Sequence, residues 1–243
     1  MGPTNEPKPV TNTPIPQPSE SVQIPIGADV LPDKGGNNAY KIVSFGTKKK
    51  EVEFTGVLDD KATVTIPDTI VVKKQVFKVT AIKDGAFKGN TKLKNITIGK
   101  NITKIGNKAF YNCKSLTTVK GGKNVKTIGE KAFYNCKKLK SITINTKVTS
   151  IGAYAFCGCS SLSKITINTG VKTIGKKSFF NCKKLKYITV KTTKLKSSTV
   201  GTDAFKKVYS KPIVKVKSSV LRKYKKFINK KGLTKKATIK KLK

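Results

Sequence analysis

The chain has 243 residues, an apolar share of 37%, and 52 basic against 12 acidic residues, for a formal charge of +40. It contains no histidine, so the usual general base and metal ligand is missing, and no run approaches the ~18 apolar residues of a membrane helix. Arg222 is the only arginine; lysine lacks the bidentate fork that reads guanine edges, which excludes specific nucleic-acid readout but leaves diffuse attraction to anionic polymers.

Eight of the ten prolines lie at or before Pro32, and this low-hydropathy stretch predicts a disordered Pro/Thr-rich linker over residues 1–38. No basic-then-apolar secretion signal opens the chain, and Met-Gly running straight into linker sequence suggests a fragment of a longer protein. Residues 39–81 alternate apolar and polar residues in short runs (YKIVSF, EVEFTGV, ATVTIP, QVFKVTAI). They predict an N-terminal β cap or a degenerate first repeat.

Phe87, Phe110, Phe133, Phe156 and Phe179 then recur at one constant interval. A fixed short period with leucine and isoleucine at set places marks a solenoid, each coil too small to bury its apolar face alone. Residues 82–205 are therefore predicted to form the solenoid. In each coil the phrase LKxITI (Leu93–Ile98, Leu139–Ile144, Leu162–Ile167) predicts a strand with leucine and isoleucine inward, stacked ~4.8 Å from its neighbours in a parallel sheet. Gly121 takes an inward place in the second of the five full coils and predicts a local weakness. IGxxAFxxC predicts a turn leading into one or two helical turns, and V-x-x-I (Val125–Ile128, Val148–Ile151, Val171–Ile174) a second short strand. Residues 206–243 predict a lysine-rich C-terminal cap: a strand KPIVKV, an amphipathic helix SSVLRKYKKFINKKG closing the stack, and ATIKKL.

Cys113, Cys136, Cys159 and Cys182 share one repeat position, so their sulfurs run in a line, whereas zinc needs them converging on one point. They predict a buried ladder of thiols; Cys157, where sister coils carry tyrosine or phenylalanine, predicts a partly exposed and reactive one. From Gly85 to Thr202 the only carboxylate is Glu130. Paired-acid hydrolysis needs two carboxyls within ~5–10 Å, so the reading is of a protein that is not an enzyme, with no cofactor and no metal. If the strands form a sheet, the residues between the inward ones face outward: Asn95 and Thr97, Thr118 and Lys120, Ser141 and Thr143, Lys164 and Thr166, Tyr187 and Thr189. A varied column beside a threonine column suits a protein or glycan partner. Lysines gather at the start of each strand, with Lys137, Lys138, Lys140, Lys183, Lys184 and Lys186 forming an edge for anionic polymers; the coil with Ser160, Ser161 and Ser163 leaves a gap.

The spacing IGxxAFxxCxxL, complete at Ile105–Leu116, Ile128–Leu139 and Ile151–Leu162 and altered only by Ser178 in a fourth coil, resembles that of the BspA-like leucine-rich repeat proteins. Lys83 and Asn90 depart from it in the first coil. The resemblance covers about residues 82–205 and implies an α/β solenoid, a right-handed leucine-rich repeat coil of about five to six repeats with both caps. It also implies an extracellular or cell-surface setting and adhesion to host or cell-surface proteins or glycans. Binding of teichoic acid, sulfated glycans or nucleic acid through the lysines, and service as an accessory domain of a larger secreted enzyme, stay open as alternatives.

Overall fold

The computed structural model describes residues 24–32, 34 and 36–242. Positions 1–23 of the expected linker lie outside the described residues. From Ile24, which is buried, the chain is already seated on the fold, earlier than the expected boundary. β1 (Asp29–Val30) pairs with β2 (Asn38–Phe45), and β2 with β3 (Lys50–Val57), all antiparallel. β3 then pairs in parallel with β6 (Gln75–Ile82), which also forms a hairpin with β5 (Thr69–Val72).

From β6 onward one wall of the solenoid is a stack of two-residue parallel strands: β8 (Lys104–Ile105), β10 (Thr127–Ile128), β11 (Ser150–Ile151) and β13 (Thr173–Ile174). The register joins Ile82, Ile105, Ile128, Ile151 and Ile174 in one column, and a bridge carries it on to Val200. These are the V-x-x-I strands, shorter than the sequence suggests. The second wall stacks β4 (Thr63–Ile66), β7 (Asn95–Ile98) and β9 (Thr118–Gly121), then β12 (Lys164–Ile167), β14 (Tyr187–Val190), β15 (Ile213–Val216) and β16 (Thr238–Lys241), each set in parallel register.

The protein is a parallel-sheet β-solenoid of about 8 turns, with one short helix near the C-terminus among the described residues. Thr63–Ile66 pairs with Asn95–Ile98 as a rung, so of the two expectations for this region, a β cap or a degenerate first repeat, this part has the pairing of a repeat. Ile213–Val216 and Thr238–Lys241 add two rungs at the other end, because alternating strands complete the open edges of β14 and β15. The single α-helix among the described residues, α1 (Leu221–Ile228), lies between those two strands in sequence and buries Tyr224, Phe227 and Ile228 at i, i+3, i+4 spacing. The Tyr224 hydroxyl donates to the Thr192 carbonyl (2.9 Å) and accepts from the Leu195 N–H (3.2 Å).

IGxxAFxxC is not helical. Lys108 and Asn112 have φ of 53° and 59°, left-handed values that no right-handed helix accommodates. Alternate N–H groups bond backward within the turn, Ala109 to Gly106 O and Tyr111 to Lys108 O; those between point to the next coil, Phe110 to Ala132 O (2.7 Å) and Asn112 to Tyr134 O (2.8 Å). In a helix none of these donors would point to a neighbouring coil, since each N–H runs along the helix axis. The turn ladder instead forms a third wall whose coils lie so close that a Cβ on Gly129 would come within 2.6 Å of Asn107 N.

This wall carries the core. Phe87, Phe110, Phe133, Phe156, Phe179 and Phe205 stack face to face, with centroids 4.9–5.4 Å apart and planes within 10°. Beside them Cys113, Cys136, Cys159 and Cys182 donate Sγ–H to the carbonyls of Phe87, Phe110, Phe133 and Phe156 at 3.0–3.1 Å. One position breaks the pattern: Ser178, where sister coils have Ala109, Ala132, Ala155 and Ala204, is fully buried with no partner for its hydroxyl. Ser178→Ala is therefore expected to stabilise the protein by about 1–2 kcal/mol, since an unpaired buried hydroxyl costs its desolvation. A melting temperature no higher than that of the parent would contradict this.

Candidate functional site

The outer face of the second wall brings most of the sequence-predicted partner residues into columns. Asn95 pairs in register with Thr118, and Thr97 with Lys120; a bridge joins Thr118 to Ser141; Lys164 pairs with Tyr187 and Thr166 with Thr189. Asn95, Thr97, Lys120, Ser141, Thr143, Lys164 and Tyr187 are exposed, whereas Thr118, Thr166 and Thr189 are half-buried. Alternation at period two turns their neighbours Ile96, Ile98, Ile165, Ile167, Ile188 and Val190 into the core.

The columns are longer than the sequence suggests. Thr63 and Thr65 extend them at one end, and Ile213, Lys215, Thr238 and Lys240 at the other. The signal was the alternation in TVTI and PIVKV. It escapes a search at the repeat period because the steps from Thr63 to Asn95, from Tyr187 to Ile213 and from Ile213 to Thr238 are all longer than one repeat.

The columns are also interrupted. Residues 142–144 form no strand, so Thr143 is not laddered to Lys120 or Thr166, and the sheet divides into β4–β7–β9 and β12–β14–β15–β16. The break follows Gly121 and Gly122, whose φ values of 81° and 63° end the extended conformation. A Cβ on Gly121 would lie 2.0 Å from the Ile98 carbonyl oxygen, so only glycine permits this path. The missing side chain leaves Val119 and Ile142 half-buried.

On the lysine edge, Lys137, Lys138, Lys140, Lys183 and Lys184 are exposed. Ser160 occupies the rung beside Lys137, its hydroxyl donating to the Lys137 carbonyl (3.4 Å), which places the serine gap where the spacing put it. Lys186 differs from the rest. It is half-buried, with its ammonium 5.3 Å from the Tyr187 ring centroid and 5.9 Å from that of Tyr209. Nothing in the repeat period signals the approach of Tyr209, which lies beyond the last regular coil, in the segment expected to form the C-terminal cap. A further strip missed from sequence lies on the turn wall: Tyr111 stacks on Tyr134 (5.0 Å), Lys131 lies over Tyr154 (5.4 Å), and Lys177 and Lys207 lie over Phe180 (5.3 and 5.5 Å).

Cys157 does not meet the expectation of a partly exposed, reactive thiol. It is 7% exposed, and burial raises its pKa, with the Lys177 charge offsetting part of the shift. Among the described residues, ion pairs tie Asp68 to Lys100 (3.1 Å), Glu130 to Lys131 (2.9 Å) and Asp203 to Lys206 (3.3 Å). The Lys100 backbone N–H, and then its ammonium, hold the Asp68 carboxyl below the usual carboxylate range. No described helix is long and apolar enough to cross a membrane.

Comparison with known proteins agrees with this architecture. Residues 80–220 match the BspA type leucine-rich repeat region, in 6 copies. No curated protein sequence matches the chain. Among solved structures it resembles the leucine-rich repeat protein of T. pallidum (19% identity, TM-score 0.60, covering 82% of this chain and 96% of that one). It also resembles the pneumococcal vaccine antigen PcpA (24%, TM-score 0.65, 81% and 51%) and a leucine-rich cell-surface protein from Faecalibacterium prausnitzii (24%, TM-score 0.56, 77% and 55%). The chain thus spans about half the length of the last two.

Proposed function

The chain belongs to the BspA-type leucine-rich repeat family, and from that premise we propose that it is a non-catalytic adhesion module of a bacterial cell-surface or secreted protein. It binds a protein or glycan on a host or neighbouring cell through the outer face of the second wall. The observation that carries this reading is the face itself: columns of mainly polar residues held in register on two sheets, β4–β7–β9 and β12–β14–β15–β16, one column rich in threonine and the other varied. Such a surface presents wide, shallow complementarity, as solenoid binding faces do. The name of the Faecalibacterium prausnitzii structure, a cell-surface protein, supports the extracellular setting.

The formal charge of +40 favours a second reading, an electrostatic binder of anionic polymers along Lys137, Lys138, Lys140, Lys183 and Lys184. One pair of substitutions separates the two. Thr97→Arg with Thr143→Arg adds bulk and charge to the exposed face, so adhesion to immobilised matrix proteins or cells is expected to fall at least roughly tenfold, the loss of one good contact region. Polyanion binding would rise instead. It would also drop by on the order of a thousandfold between about 50 and 200 mM salt. Adhesion that rises with the arginines and collapses with salt would overturn the first reading in favour of the second.

A further inference from the structure

Eight large apolar side chains are well exposed among the described residues, and the two aromatic ones, Tyr187 (47%) and Tyr209 (37%), share a single lysine. Lys186 runs between them, its ammonium facing both rings. The rings hold that cation in place, so little side-chain entropy remains to be lost when an anion arrives. Lys164 lies in register beside Tyr187 on the preceding rung, and Ile213 on the following one. No carboxylate occurs between Glu130 and Asp203, and Asp203 is paired to Lys206. The cluster therefore joins two exposed phenol rings to a preordered positive charge that has no ion-pair partner among the described residues.

We infer that Tyr187, Lys186 and Tyr209 form a recognition point for a carboxylate-bearing sugar in an acidic saccharide chain. The apolar C–H face of the sugar ring lies on Tyr187, and its carboxylate bridges the ammoniums of Lys186 and Lys164. An aromatic ring beside a cation suits this chemistry better than a uniform polyphosphate, which needs charge alone and would prefer the more exposed lysines of the same edge, Lys137, Lys138, Lys140, Lys183 and Lys184. This inference rests on the proposal that the second wall is the binding face, and it names the ligand class for its C-terminal half.

The test uses the full chain at about 0.15 M salt, where screening weakens diffuse attraction. Titration calorimetry would compare a hyaluronan octasaccharide (host source), a teichuronic acid octasaccharide (bacterial source), a neutral dextran octasaccharide and an oligoglutamate of equal charge. The expected result is binding of at least one carboxylated saccharide and not of dextran. Tyr187→Ala and Lys186→Gln should each weaken it roughly tenfold, and Lys186→Arg should retain it. Lys137→Gln with Lys138→Gln should change it less than about twofold. Tyr187 is exposed, so its alanine variant keeps the fold, which circular dichroism verifies. Equal losses at both lysine sites, equal Tyr187 dependence for oligoglutamate, or no saccharide binding would each overturn the inference. If Tyr187→Ala leaves cell adhesion intact while Thr97→Arg with Thr143→Arg abolishes it, the binding-face proposal stands and this inference alone fails.

Discussion

Phe133→Ala is expected to destabilise the protein by about 3–5 kcal/mol, the range for truncating a fully buried phenylalanine. Its ring stacks on Phe110 at 4.9 Å and on Phe156 at 5.2 Å and is completely excluded from solvent. The void cannot close, because the backbone on both sides is fixed to its neighbours: the Phe110 N–H bonds to Ala132 O and the Phe133 N–H to Ala155 O, both at 2.7 Å. Moving one coil inward would break these ladders. In a stack where each coil meets only its neighbours, a defect in the middle also weakens coupling between the two halves. Denaturant unfolding followed by far-ultraviolet circular dichroism should therefore broaden or split into two phases. Phe205→Ala is the matched control, since its ring stacks on Phe179 alone, and should cost less. A loss at Phe133 no larger than at Phe205 would mean that the rings do not form a continuous core.

The second large effect is alkaline lability set by the thiol ladder. Burial pushes the Cys113 thiol up to about 12, and burial followed by the neighbouring thiol raises Cys136, Cys159 and Cys182 well above the ordinary value of 9.0. Below about pH 8 the thiols are protonated whether the chain is folded or not, and their contribution to stability is complete. Above it the unfolded chain releases protons that the folded chain keeps, so stability falls as pH rises. Each thiol approaches a slope of about 1.4 kcal/mol per pH unit once the unfolded form is ionised. The window of interest lies between about pH 9 and 10, just above the ordinary thiol value. Cys136→Ala should flatten the decline there while lowering stability at neutral pH through the lost bond to Phe110 O. The same burial predicts that none of the five thiols reacts rapidly with a disulfide reagent at pH 8, and that all five do in denaturant. Rapid labelling of Cys157 in the folded protein would restore the reading of it as a reactive thiol.

The parts of the fold that recur in step with the phenylalanines were legible in the sequence because each copy repeats the same demand. Phe87 to Phe179 could satisfy five identical burial needs only by stacking, and the cysteines at one repeat position had to run in a line. The alternation in KITI and YITV likewise fixed which residues, Lys164 and Tyr187 among them, face outward. Gly121 marked the weak rung for a local reason, a missing side chain at an inward place. Only the extent of the break, through residues 142–144, needed the coordinates.

What remained hidden depends on partners far apart in sequence. Ala-Phe flanked by polar residues is compatible with a helical turn; it becomes a ladder because the next coil offers carbonyls at 2.7 Å to the N–H groups of Phe110 and Phe133. Thr63–Ile66, Ile213–Val216 and Thr238–Lys241 became rungs because open strand edges recruit any alternating segment within reach, whatever its spacing. Tyr209 reaches Lys186 only because the segment around it stacks beside the coil that carries Lys186. The sequence by itself thus determined the unit, its inward residues and its outward columns, since periodic burial is a local and repeated requirement. The number of turns, the third wall and the aromatic-lysine cluster were decided by tertiary structure, where hydrogen-bond donors and exposed rings take partners that no fixed interval along the chain can name.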